Sequence, residues 1–241
     1  MREVKILHLY NRSLDLYGDS RCLSALRYRI EEMGHTCTID TLGLRDEIDT
    51  TGYDLVYMSH GKCKNTAIVS EHFIKFKDHI ISQIKNGQCF FVTGSARMLF
   101  GSSFSTLDGK KHEGLGLFDY TSHEIDSVFT SDMLMRPVFE SEAYDYGFIN
   151  RTEHIVHQNS INPSPLFLVD NGCSDNQESA GNEGTLYKNF MATWCMGPTL
   201  IRNPCLMKEL LKRMLGDDYV EGDYSLEQTA LDITVADLKK Q

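Results

Sequence analysis

Cys89-Phe90-Phe91-Val92-Thr93-Gly94-Ser95-Ala96-Arg97 is the stretch on which the fold turns. An apolar run of strand length breaks through small residues into a short helix, which is the geometry of a nucleophile elbow, although the elbow position itself is glycine. Immediately upstream, from about Thr66 to Lys85, Val69, Phe73, Phe76, Ile80 and Ile84 recur at spacings of three and four. That pattern predicts one amphipathic helix, ended by Asn86-Gly87. Further back, Tyr53 to Met58 reads as a strand ending in Ser59-His60-Gly61, and Thr36 to Leu42 as another. A helix carrying Leu23, Leu26, Ile30 and Met33 is predicted to be capped by Gly18-Asp19-Ser20 and stopped by Gly34, and Val4 to Tyr10 opens the chain as a strand. Strands separated by helices imply parallel pairing with right-handed crossovers, hence an α/β fold with an open doubly wound, mostly parallel sheet and helices on both faces. Ligands in such sheets sit at the carboxyl ends of the strands. The loops 11–19, 59–65 and 93–97 are therefore where chemistry is expected.

The segment from about Leu115 to Leu168 is richer in short extended pieces and predicts added antiparallel strands. Gly114 to Asp119 reads as a turn entering a strand, and Phe190 to Trp194 as core. Asn203-Pro204 predicts a capped helix start, followed by a helix burying Leu206, Met207, Leu210, Leu211, Met214 and Leu215. We expect a main domain over 4–215 and, over 216–241, an acidic linker with a C-terminal helix that opens on a Ser225/Gln228 capping box. Leu226, Ala230, Ile233, Val235 and Leu238 form a loose stripe on that helix, which reads either as a docked terminal helix or as one that binds a partner.

With 241 residues, 41% of them apolar and 24% charged, the chain has the composition of an ordinary globular domain large enough for a sizeable core. A net charge of −10 argues against a nucleic-acid footprint. The longest apolar runs, such as Cys89–Val92 and Leu166–Val169, fall far short of the roughly 20 residues that cross a bilayer. The charged N-terminal stretch offers no signal peptide, and the seven irregularly spaced cysteines suggest no disulfide framework. We expect a cytoplasmic chain with reduced thiols.

Cofactor motifs fail on inspection. Gly61-Lys62 and Gly109-Lys110 lack the glycine five residues before the glycine that a phosphate loop requires, since Val56 and Phe104 stand there. Gly114-x-Gly116 does not continue as a dinucleotide fingerprint. His60-x-x-Cys63 and His154-x-x-His157 have metal-ligand spacing, but turn or surface histidines are the plainer reading, and Asp217, Asp218, Glu221 and Asp223 lack EF-hand spacing. No cofactor and no metal are expected.

Several segments, in order, resemble the class I glutamine amidotransferases of the cobyric acid synthase type, and among them the glutaminase subunits of lipid II isoglutaminyl synthases. Leu9-Tyr10 with Leu16-Tyr17-Gly18-Asp19 is similar to the family's opening signature, Tyr53–Gly61 to its strand and glycine-rich loop, and Phe91–Gly101 to its elbow. Gly114–Asp119, Gly184–Pro198 and Asn203-Pro204 continue the series, so the resemblance covers most of residues 4–215. It implies a flavodoxin-like fold and a glutaminase that hands ammonia to a Mur-ligase-like synthetase in cell-wall precursor metabolism. In the family a cysteine attacks the glutamine amide, a histidine activates it, and loop amides hold the oxyanion. Here those positions fall on Gly94 and Met196, and Ser59-His60-Gly61-Lys62 replaces the glycine-rich loop. Glycine offers no nucleophile and a thioether no base. We therefore expect a binding or regulatory subunit without glutaminase activity. The degenerate cleft, lined by Ser59, His60, Gly61, Lys62, Gly94, Ser95, Arg97 and Met196, could take a different small molecule, or His60 could fill it. An enzyme with a rebuilt site is the alternative, with Ser95, Cys63 or His60 as candidates beside the neighbouring Cys195. An active amidotransferase with a displaced nucleophile is another.

Overall fold

The computed structural model describes residues 1–157, 163–176 and 180–240. The first part runs β1 (Glu3–Leu9), α1 (Arg21–Glu32), β2 (Thr36–Leu42), β3 (Leu55–Met58), α2 (Cys63–Phe73), α3 (Lys77–Lys85) and β4 (Cys89–Thr93), with a 3-10 helix over Gly94–Phe100 after it. There follow β5 (Ser103–Ser105), β6 (Lys111–Glu113), β7 (Tyr120–Pro137), β8 (Asp145–His157), β9 (Phe167–Asn171), β10 (Gly181–Glu183), β11 (Thr185–Tyr187) and β12 (Phe190–Thr193). The chain closes with α4 (Thr199–Arg202), α5 (Pro204–Leu215) and α6 (Ser225–Leu238).

One six-stranded sheet has the order β11-β12-β4-β3-β1-β2 and is parallel except for the β11–β12 edge pair. Every residue of β3 and β4 is buried, which is why both read as continuous apolar runs: a parallel strand covered on both faces has no side left for water. The expected antiparallel strands form a second sheet, β10-β9-β7-β5-β6 with β8 on β7, antiparallel apart from β5–β7. Between the sheets lies the 94–100 helix, buried along its whole length.

Several local expectations need correction. The stretch 66–85 is two helices, joined by a 3-10 turn at Ile74–Phe76. Its periodicity survives because three 3-10 residues advance about 120° each instead of 100°, a drift of only about 60°. Ile80, Ile84, Val69 and Phe73 stay buried. Ser20 does not cap α1 with its side chain; its N–H and hydroxyl both donate to Asp15, at 3.0 and 2.7 Å. Asn203 precedes α5 as expected but spends its buried amide on β8, accepting from Tyr146 N–H and donating to Tyr146 O, both at 2.7 Å. The capping box at α6 does not form, since Ser225 N–H donates back to Asp223 at 2.9 Å and Gln228 turns to Asp232 at 2.8 Å.

The stripe expected on α6 also divides. Leu231, Val235 and Leu238 are buried against Leu134, with Tyr144 and Tyr146 alongside, whereas Leu226 and Ile233 are 80% and 61% exposed. Arg29 ties the start of α6 to α1, pairing with Glu227, donating to Asp223 O at 2.8 Å and lying 4.1 Å over the Tyr224 ring. Among the described residues, no helix is long and apolar enough to cross a membrane.

Candidate functional site

Parallel register brings four strand ends to one place. Thr93 of β4 pairs with Thr193 of β12, and Val92 with Met58 of β3, so Gly94, Met196 and His60 all leave the same edge of the sheet. The chain beyond β1 completes the site. There Tyr10 takes a positive φ of 57°, unusual for a bulky residue, and its carbonyl accepts Ser13 and Leu14 N–H at 2.8 Å each.

Gly94 has φ +58°, the left-handed conformation of an elbow, and glycine adopts it without a Cβ penalty. The space a side chain would need there is taken. A Cβ built on Gly94 would overlap His60 Nδ1 and Cβ and stand 2.5 Å from its Cγ. His60 is 4% exposed, with the Tyr17 ring 5.4 Å away at 30°, and the Tyr17 hydroxyl accepts from Asn150 Nδ2 at 3.0 Å. The imidazole therefore occupies the position of a nucleophilic side chain, with a tyrosine over it.

The donors around the elbow are consumed internally. In an elbow, the N–H after the nucleophile is an oxyanion donor; here Ser95 N–H donates to His60 Nδ1 at 3.0 Å, which places the ring proton on Nε2. Gly61 N–H, from the loop after β3, donates to Ser95 Oγ at 3.0 Å. Burial lowers the His60 pKa to about 4, so the ring is neutral near pH 7.

Ser95 is fully buried; its hydroxyl donates to Gly61 O at 2.7 Å and lies 3.0 Å from Thr66 Oγ1, so it works as a latch between loops. No base stands beside its Oγ among these partners. Ser59 is similarly latched, donating to Leu14 O, and Lys62 is exposed at the start of α2. Cys63, 5% exposed, has its thiol pushed up by burial and by Glu153 and Glu124, the opposite of an activated nucleophile. Cys195 is fully buried with Sγ 3.8 Å from Met135 Sδ, and burial pushes it up too. Met196 is 3% exposed, its N–H bound to Phe148 O at 3.0 Å.

Arg97 is the largest departure from the expected pocket. Its guanidinium turns away from the elbow into a fully buried seam between the sheets, donating to Asp175 Oδ1 and Oδ2 at 2.7 and 3.0 Å and to Glu183 at 3.4 Å. Arg151 joins from β8, donating to Asp175 O at 2.9 Å and Ser174 O at 2.6 Å, and both guanidinium groups lie over Trp194, at 5.3 and 4.9 Å. Glu183 accepts Trp194 N–H at 2.6 Å, and burial raises its pKa to about 7 despite Arg97. Among the described residues, no group of three or more His, Cys, Asp or Glu side chains could hold a metal ion. His60 is committed to Ser95, His154 Nδ1 lies 3.2 Å from Asn176 O, and the side chain of His157 lies outside the described residues.

Asp19 joins the site although no catalytic motif of the sequence singles it out. It is buried beside the backbone of His60 and Gly197, accepts Gly197 N–H, and burial raises its pKa to about 7 against the pull of the Gly197 and His60 amides. Its place in the opening Leu-Tyr-Gly-Asp signature was the signal. Asp175 and Glu183 carried no comparable signal.

No family model matches the chain. Over 221 residues it is 30% identical to the lipid II isoglutaminyl synthase (glutamine-hydrolyzing) subunit GatD of Streptococcus pneumoniae (strain ATCC BAA-255 / R6), covering 90% of this chain and 84% of that one. Over 215 residues it is 26% identical to the GatD subunit of Staphylococcus aureus (strain N315), covering 88% and 85%. A glutamine amidotransferase crystal structure superposes with a TM-score of 0.55 at 14% identity, covering 86% of this chain and 98% of the other. A second, from Thermotoga maritima, gives 0.50 at 12% identity over 98% and 92%, and both likenesses speak to the fold alone. With its elbow, its sheet order and this extent of similarity, the chain belongs to the GatD family of glutamine amidotransferase-like subunits.

Proposed function

We propose that this chain is a GatD-type subunit that has lost glutamine hydrolysis and acts by binding, bracing or regulating a Mur-ligase-like amidating synthetase of cell-wall precursor metabolism. The observation that carries the reading is the occupancy of the elbow: His60 fills the space above Gly94 and takes Ser95 N–H, while Gly61 N–H is spent on Ser95 Oγ. Hydrolysis of a side-chain amide needs a nucleophile, a proton carrier and free donors for the tetrahedral oxyanion. Gly94 supplies no nucleophile, Met196 no base, and the two N–H groups are already satisfied.

A rebuilt enzyme finds little support. Ser95 is held in a closed hydrogen-bond set, Cys63 has a raised thiol pKa, and His60 is a buried neutral ring with Nδ1 engaged. The test is ammonia release from glutamine by the purified chain, alone and with its synthetase subunit. The expected rate matches a heat-killed control; hydrolysis well above it overturns the proposal. Labelling with a glutamine-analogue electrophile and peptide mapping is expected to modify none of Ser95, Cys63 and Cys195.

A further inference from the structure

A cavity of about 600 Å³ lies between the β5–β6 hairpin and the start of α3, and it shares no residue with the elbow or the buried seam. That volume falls in the range of about 300–1,000 Å³ found for small-molecule sites. Strand alternation decides what the hairpin shows it. Phe104 and His112 stand opposite each other in register, stacked with ring centroids 5.1 Å apart, and take one face. The flanking pairs, Ser103 with Glu113 and Ser105 with Lys111, take the other, and of these Ser103, Lys111 and Glu113 line the cavity. Lys77, the first residue of α3, comes in from the helix side, its Nζ 3.7 Å from where a Cβ on Gly116 would stand.

Two observations point to an anion. In a chain of net charge −10, neither Lys77 nor Lys111 is ion-paired among the described residues, whereas the adjacent Lys110 is paired with Glu71 at 3.4 Å. Ser103 is only 7% exposed, yet its hydroxyl has no hydrogen-bond partner among the described residues, and a buried hydroxyl left so is costly unless something in the cavity bonds to it. The neighbouring cavities have the opposite balance. One of about 490 Å³ sets Lys64 and Lys110 against Glu71, Asp108 and Glu124, and one of about 570 Å³ sets Lys75 and Lys77 against Glu47, Asp49 and Asp78. Here a single carboxylate, Glu113, faces two lysines. A carboxylate only accepts, so a ligand that suits all three carries a hydroxyl as well as an anionic group.

We propose that this cavity binds a small hydroxylated phosphate ester: Lys77 and Lys111 neutralise the phosphate, the Ser103 hydroxyl donates to one of its oxygens, and Glu113 accepts from a hydroxyl of the same molecule. A soluble ester is the source that the charge favours, because an anionic lipid surface would also meet the acidic remainder of the chain. The site depends neither on glutamine hydrolysis nor on the partnership proposed above.

The test is calorimetric titration of the full chain with glycerol phosphate, wild type beside Lys77→Ala/Lys111→Ala and beside Lys64→Ala/Lys75→Ala, which removes the same charge from the neighbouring cavities. All four lysines are exposed, so thermal midpoints are expected to be unchanged. The expected result is saturable wild-type binding that falls as salt rises, weakened roughly tenfold or more by the first pair and less than about twofold by the second. Sulfate, which has no hydroxyl, is expected to bind the wild type more weakly than glycerol phosphate does, and Glu113→Gln is expected to narrow that gap. No saturable binding, or equal losses from the two lysine pairs, overturns the proposal. Equal wild-type affinity for sulfate makes the cavity a general anion site and overturns the ester assignment. Binding to phosphatidylglycerol vesicles without binding of glycerol phosphate moves the phosphate to a lipid headgroup and overturns the soluble source.

Discussion

At the elbow a neutral imidazole fills the space above Gly94, whereas on the other side of the same 94–100 helix two guanidinium groups and two carboxylates are buried together. Ser95 and Arg97 stand two residues apart yet serve these opposite regions. Ser95 fastens the His60–Gly61 loop to the elbow, and Arg97 fastens the second sheet through Asp175 and Glu183. The difference teaches where such a chain tolerates change. A site built from neutral groups and backbone amides can be closed by one side chain that satisfies a donor and fills space. A buried ion network stands or falls as a set, because removing one member strands the others in low dielectric.

The comparison breaks most severely at Arg97. Arg97→Met is expected to cost about 3–5 kcal/mol in denaturant unfolding, because Asp175 and Glu183 lose their partner while staying buried. A cost below about 1 kcal/mol would show that the seam does not brace the sheets.

On the elbow side, Gly94→Ala in the wild-type background is expected to cost about 3 kcal/mol, from overlap with the imidazole added to the left-handed backbone penalty of about 1–2 kcal/mol. In a His60→Gly background the same substitution should cost only the backbone penalty. A double-mutant cycle is then expected to return a coupling of about 1–2 kcal/mol. Independent, additive effects would remove the plug from the account.

A third test concerns a buried carboxylate that has no guanidinium. Asp145 is fully buried with neither oxygen hydrogen-bonded, and burial raises its pKa to about 7. The native state therefore holds this proton more tightly than the unfolded chain does. Its contribution is fully present below the unfolded value near 4 and is lost as pH rises through 7. Asp145→Asn should gain stability over wild type, by up to a few kcal/mol, as pH goes from 5 to 8, and little at pH 4. His60, lowered to about 4, works in the opposite sense and drains wild-type stability as pH falls from 6.5 toward 4. A flat difference between Asn and wild type across that range would contradict this account of Asp145. The smallest effect is expected at Leu226→Glu, within about 0.5 kcal/mol by thermal unfolding, since the side chain touches little but water.

The alternating pattern of residues 4–93 is enough to specify four of the parallel strands, because each strand and helix there announces itself through near neighbours in sequence, whereas β12 joins them from residues 190–193. Caps were less legible. Asn203, Ser20 and Ser225 have the right chemistry for helix starts, but each side chain or backbone found another partner, Tyr146, Asp15 or Asp223. The apolar residues of α6 form one loose stripe in sequence, and docking against Leu134 selects Leu231, Val235 and Leu238 from it.

The sequence by itself determined that the elbow holds Gly94 and that Met196 follows β12, two residues with neither a nucleophilic nor a basic side chain. It also determined the order of strands and helices that brings those positions to one edge. Only the tertiary structure decided that His60 occupies the gap, that Ser95 and Gly61 consume the donors, and that Arg97 leaves the site for Asp175. These contacts join residues 34 to 78 positions apart. They depend on strand register and on which face of a short helix each side chain leaves, and neither quantity is carried by local composition or spacing.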